Sequence, residues 1–547
     1  MLKAATSKAK FSRAYPPPPP PPPGGAVPPP PGASAPKCEA PASLDTNIMS
    51  VELGFLNEEV PIRVGDPITC KYCQSILSYL DTVKDGEWTC HFCSTKNTVS
   101  GILPEEIPDA PILDYVLEAP ITKTDSEKTE DNGTIVYCID TSGSMSINVD
   151  LTNNGVQLTR LDVVKNAMCQ QLKNLKEKSP NQKICVVQFS KDVKILGDCT
   201  HNAIIVKSNL LSDYDGLVDL AKEKVTLSPL STTLNAILKK VKDLEEQGST
   251  ALGPALLIST IIAGKEKNGK VILCTDGTAN NGLGNLEEDP DVNKAFYEKI
   301  GQVAKSSGVI ININTLKGCD ANLKRISPCT VECGGSVLVV DPKQVADAFN
   351  DALGTNVIAT DVEIGIYLHP AVYINDSIQS EQPSRRQVSI GNVNDDTTYQ
   401  FKYSMRSEEE TKAFGEMKNF PVQVQIKYTK LNGFKGIRVI SKTVEIAEEK
   451  EEVKVVDGDV LQTYYIQQTA IHKRRNSIEN ARQNMSMFRM AQEASAQPMQ
   501  EVYKDYADDM EEAMDASLSS DEDAEVYANA TTWNAKKAKK YSTFSSK

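Results

Sequence analysis

The chain has 547 residues, with 73 acidic and 59 basic side chains giving a formal charge of −14. At about 100–200 residues per domain there is room for three or four units, and the acidic balance argues against a nucleic-acid backbone as partner. Hydrophobic residues make up 40%, enough for real cores, while the 6% aromatic content suggests that part of the chain stays outside them.

The longest apolar run, 251–263, is interrupted by Gly253 and Pro254. It falls short of the ~20 residues that a bilayer requires, so no integral membrane protein is expected. The opening MLKAATSKAKFSRAY is basic, but lacks the apolar centre of a secretory signal. Thirteen cysteines, an odd number, fit a reducing cytoplasmic setting better than a disulfide framework. Cys138, Cys185 and Cys274 stand in strand-like apolar runs, where a thiol reads as a small buried hydrophobe.

Residues 1–45 carry Pro16 to Pro23 and then Pro28 to Pro31. Proline fixes φ and donates no backbone hydrogen bond, so this segment is expected to be disordered polyproline II. It is either a stiff spacer or a ligand for profilin, SH3 or WW domains.

Residues 65–100 are expected to form a zinc ribbon. Cys70-Lys-Tyr-Cys73 and Cys90-His-Phe-Cys93 stand sixteen residues apart. Two such turns present four soft sulfur ligands to one tetrahedral Zn²⁺. Four cysteines close the coordination shell, so the expected role is structural, with His91 a bystander. Trp88, Tyr72 and Phe92 are expected to supply the small hydrophobic patch.

Between 132 and 355 short apolar runs (134–140, 183–190, 270–276, 309–316) alternate with helical stretches (158–175, 231–246, 291–308). That rhythm predicts a doubly wound, mostly parallel α/β sheet. The first strand ends in Asp140-Thr-Ser142-Gly-Ser144, and a later one in Thr275-Asp276-Gly277. Gly248-Ser249-Thr250 precedes a further helix. Two carboxylates and three hydroxyls are hard oxygen donors, suited to Mg²⁺ or Mn²⁺.

These motifs, with LTRLDVVKNAM and CVVQFS, resemble the metal-ion-dependent adhesion site (MIDAS) of von Willebrand factor A (vWA) domains. The resemblance implies that Ser142 and Ser144 bind the cation directly and Thr250 directly or through water. Asp140 and Asp276 would hold coordinated waters, leaving one position for a carboxylate from a partner protein.

Period-two segments from 358 to 450 predict an antiparallel β-sandwich, with a hairpin turn at Asn432-Gly433. Apolar residues at helical spacing predict a short helical region over 456–496. The order of ribbon, vWA domain, sandwich and helices resembles the inner-coat subunits of COPII vesicles. Trp88, Cys90, Cys93 and Asn97 fit that family's second knuckle. Two readings follow: a non-enzymatic scaffold docking acidic partners through the vWA cation, or a COPII-like subunit of ER-to-Golgi transport. The second would add peripheral association with ER or Golgi membranes to a cytoplasmic location.

No catalytic constellation is expected. Gly264–Lys270 imitates a phosphate loop but follows a helix and enters a strand, the reverse of what phosphate binding needs. Residues 497–547 form an acidic tail, expected to be mostly disordered. Met510, Ala513 and Ser517 share a helical face between acids, which resembles a ubiquitin-interacting motif. The alternative is a plain acidic tail with Ser519 and Ser520 as kinase sites.

Overall fold

The computed structural model describes residues 1–4, 8–9, 46–99, 107–119, 133–150, 157–316, 322–331, 333–340, 342–354, 356–375, 383–395, 397–447 and 478–494, with scattered positions between 460 and 472. The proline run and the acidic tail, with Met510, Ala513 and Ser517, lie outside the described residues.

The α/β unit is a seven-stranded sheet. Its order is Ile204–Val206, Val193–Gly197, Ile184–Phe189, Ile135–Asp140, Lys270–Cys274, Ile310–Leu316, Ser336–Val340. The last five are parallel, and the first two form an antiparallel edge. Alternate side chains of the central strand enter opposite cores, as the strand period dictates. Val136 and Cys138 pack with the helices Tyr214–Glu223, Leu252–Ala263 and Pro290–Ser307. Ile135, Tyr137 and Ile139 face the helices Arg160–Lys178, Leu230–Lys242 and Val345–Gly354.

The long apolar run is the helix Leu252–Ala263, buried on nearly every side. Its uniform hydrophobicity reflects a central position in the protein. Among the described residues, no helix is long and apolar enough to cross a membrane.

The chain leaves Ile135–Asp140 for one side of the sheet and returns to Lys270–Cys274 on the other. The crevice at their carboxyl ends is therefore a topological switch point, where open α/β sheets place their ligands. Gly264–Gly269 links helix to strand as expected, and the Lys270 ammonium is bonded to Leu353 O and Asn356 Oδ1.

The sandwich recruits more chain than 358–450. One sheet runs Arg385–Val393, Ala359–Leu368, Asn419–Lys430, Lys435–Ile446, Ile112–Glu118, Ile62–Val64, and Lys8–Ala9 pairs beside it. The other runs Leu2–Ala4, Ile48–Glu52, Thr398–Met405, Val372–Ile374. One boundary is corrected: residues 2–4 and 8–9, expected in a disordered segment, are strands. Ile112–Glu118, between the ribbon and the α/β unit in sequence, is a further strand of the sandwich. Ladder bonds are made by backbone, so runs of two to seven residues join a sheet with no periodicity to announce them. The Asn432-Gly433 turn is present, with Gly433 at φ 87°.

A buried ion pair locks these additions in place. Arg438, 1% exposed, donates from Nε and Nη2 to the two Asp114 oxygens at 2.9 and 2.8 Å. It also donates to Phe55 O and Glu58 O, while the Tyr428 hydroxyl donates to Asp114 at 2.9 Å. Ala481, Met485, Phe488 and Ala491 form the buried stripe of the helix Ile478–Ala494.

Candidate metal-binding sites

Cys70, Cys73, Cys90 and Cys93 bring their sulfurs within 4.8 Å of one another. Cys70–Cys93 and Cys73–Cys90 are each separated by 3.6 Å, and all four are unbridged thiols. A tetrahedron with Zn–S bonds of about 2.3 Å has edges near 3.8 Å, so the spacing suits zinc and is far too long for a disulfide.

The two turns are near-twins. Gln74 and Ser94, each following the second cysteine, have φ of 64° and 58°. Their amides return to Cys70 O and Cys90 O at 3.0 and 2.9 Å. Asn97, singled out in the sequence, accepts from Lys71 N at 3.0 Å and points Nδ2 at Cys70 Sγ at 3.6 Å. Contact with Cys73, then burial, pushes the Cys90 thiol up; a bound cation would oppose both.

Trp88 and Phe92 are buried beside the cluster, but Tyr72 is 73% exposed. This is a correction: Phe92 holds the same place in its own turn and is buried, so the difference lies in what each turn packs against and not in the turn itself. Tyr367 of the sandwich fills the patch instead. The Gln423 amide bonds both Ile76 N and Ile76 O, at 2.7 and 2.8 Å, much as a neighbouring strand would.

At the switch point, the three predicted hydroxyls and two carboxylates come together. Ser142 Oγ and Ser144 Oγ lie 3.1 Å apart, and Ser144 donates to Asp276 Oδ1 at 2.6 Å. Asp140 is fully buried; Oδ1 accepts from Ser142 N at 2.7 Å and Oδ2 from Thr275 Oγ1 at 2.6 Å. Burial raises its carboxyl to about 6 against the pull of those two bonds, and the Asp276 charge adds to the rise. Thr250 is positioned by Asn280, whose Oδ1 accepts the Thr250 amide at 2.8 Å.

The cradle is most visible from Gly277. A Cβ there would lie 3.2 Å from Ser144 Oγ, 3.6 Å from Thr250 Oγ1 and 3.9 Å from Ser142 Oγ. Three hydroxyls thus surround a point that only a hydrogen now approaches, and hard oxygens around such a space fit Mg²⁺ or Mn²⁺. Gly277→Ala is expected to keep the fold, because its φ is not positive. It should weaken Mn²⁺ binding about tenfold or more, a magnitude typical of disturbed metal surroundings, as read by calorimetry.

No protein-family model matches the chain. Circularly permutated Ras protein 1 of Dictyostelium discoideum is 33% identical over 433 residues, 74% of this chain and 51% of that protein. The chain therefore spans about half the length of this curated relative. The human COPII-coat protein Sec24c superposes with a TM-score of 0.54 at 14% identity, over 89% of this chain and 71% of that one. A von Willebrand factor type A protein from Catenulispora acidiphila aligns over 74% of this chain and 89% of that one, with a TM-score of 0.42 and 14% identity. The fold is similar to that of a COPII-coat protein.

By its sheet order the α/β unit has a doubly wound, vWA-like fold, and the cysteine cluster, packed on the sandwich, suits zinc. Sequence reasoning placed nine candidate ligands in two groups, and the structure brings the members of each group near one another. It missed Thr275, Asn280 and Arg160. Thr275 sits inside the Thr-Asp-Gly motif and was within reach. Arg160 opens a helix twenty residues after Asp140, where spacing carries no signal; its Nη1 lies 2.7 Å from Asp276 Oδ2.

Proposed function

We propose that this protein is a non-enzymatic scaffold whose vWA loops hold Mg²⁺ or Mn²⁺ and dock partners that present a carboxylate. The observation that carries this reading is the convergence of Ser142, Ser144 and Thr250 beside Gly277, backed by two carboxylates. When bound, the cation supplies an electrophilic seat for an acidic side chain. The chain's own part is orientation: Thr275 and the Ser142 amide fix Asp140, and Asn280 fixes the Thr250 loop. The zinc ribbon serves as a rigid attachment to the sandwich.

His201 is in keeping with the non-catalytic reading. His201 meets Thr200 Oγ1 at 2.9 Å, but on an exposed turn where that hydroxyl also donates to Asp198. Nothing there activates a nucleophile. The proline segment as a profilin, SH3 or WW ligand, and the tail as a ubiquitin ligand, remain proposals of the same scaffold.

A second reading, a COPII-like coat subunit in the cytoplasm at ER or Golgi membranes, is favoured by the likeness to Sec24c. Such a subunit works through broad interfaces and needs no cation. Asp140→Ala separates the two. Partners captured by the wild-type chain with Mg²⁺ should be lost with Asp140→Ala and with EDTA. EDTA also extracts zinc, so the substitution is the selective arm. Capture that survives Asp140→Ala would overturn the cation-docking reading and leave the coat reading standing.

A further inference from the structure

Arg160 brings a positive charge of the chain's own to the candidate cation site. Its side chain is 11% exposed, and Nη1 lies 2.7 Å from Asp276 Oδ2, with that carboxylate fully buried. The other Asp276 oxygen is held by Ser144, so one edge of the hydroxyl–carboxylate cradle is already ion-paired. The backbone beneath is pinned independently of the guanidinium. Arg160 N donates to Ile147 O at 3.0 Å, and Thr159 with Asp162 forms a capping box around the helix start.

A cation at the first position of a helix opposes the helix dipole, whose positive end lies there. Arg160 is nevertheless held inward, on the buried carboxylate of Asp276. A buried carboxylate needs a counter-charge in the absence of metal, and Arg160 is placed to supply it.

We propose that Arg160 is a tethered competitor of the divalent cation, seated on Asp276 when the site is empty of metal and displaced when metal loads. The inference rests on the reading of these loops as a divalent-cation socket. Metal affinity is then scaled down by the fraction of molecules with Arg160 unseated, as for any site that is only partly in its competent state. A protein of this kind loads metal chiefly when a partner's acid helps complete the site.

The test uses the full, zinc-loaded chain and Mn²⁺, with free Mn²⁺ followed by electron paramagnetic resonance. Arg160→Met keeps the long buried stem and removes the charge. Its Mn²⁺ affinity should exceed that of wild type by about tenfold or more, as follows from Arg160 being seated in at least ~90% of the metal-free molecules. Asp140→Ala should abolish binding in both backgrounds.

Equal or weaker binding by Arg160→Met overturns the competitor while leaving the socket intact. Failure of wild type and Arg160→Met alike to bind millimolar Mn²⁺ overturns the socket and the inference together. Should Arg160→Met fail to fold, the wild-type chain still decides. The Arg160 side-chain ¹⁵N–H resonance, assigned by its loss in Arg160→Lys, must move on Mg²⁺ saturation, and a resonance that stays fixed refutes displacement.

Discussion

Cys90→Ser will empty the ribbon of zinc and unfold it. Structural zinc in small modules contributes on the order of 10 kcal/mol, far more than about thirty residues can gather from their own core. Here the metal would hold together two turns whose other contacts are few: Trp88, Phe92 and Leu77 pack among themselves and against Tyr367. Ser75 approaches both Cys73 and Cys90, at 3.2 and 3.3 Å, so a sulfur lost at position 90 also loosens its neighbour. Elemental analysis should find one zinc per wild-type chain and none in the variant. Limited proteolysis should then open the segment between Cys70 and Cys93 while the α/β unit stays intact. A natively purified wild-type sample without zinc would sink this expectation.

Asp114→Ala comes next in size. It leaves the Arg438 guanidinium 1% exposed with its carboxylate partner gone, and removes the acceptor of the Tyr428 hydroxyl. Breaking one side of a buried pair typically costs about 3–5 kcal/mol, because the remaining charge stays desolvated. The pair joins Ile112–Glu118 to Lys435–Ile446, and its remaining bonds reach Phe55 O and Glu58 O. Denaturant unfolding should show the sandwich transition at clearly lower midpoint in Asp114→Ala. Asp114→Leu combined with Arg438→Met should recover much of the loss, since an apolar pair leaves no charge stranded. A single substitution without effect on the midpoint would show that water reaches the guanidinium.

The two metal groups were legible in the sequence for different reasons. Each cysteine pair is local, and a turn of four residues fixes where both sulfurs point. The hydroxyl site spans Asp140 to Asp276, yet each piece ends a strand or opens a helix, so the sheet order assembles it. Tyr72 was misplaced because proximity in sequence to two ligands says nothing about which way a turn residue faces. Tyr367, which took its role, lies almost three hundred residues away.

What the sequence determined by itself was therefore everything carried by local chemistry and period: the two cysteine turns, the alternation of strands and helices, the loop donors and the Asn432-Gly433 hairpin. Tertiary structure alone decided which distant segments complete the sandwich, since Leu2–Ala4, Ile48–Glu52 and Ile112–Glu118 join through backbone bonds that any side chain permits. It also decided that Arg438 meets Asp114 and that Arg160 meets Asp276. Charge pairs of this kind act over a few ångströms of space, and no spacing along the chain encodes which two will meet.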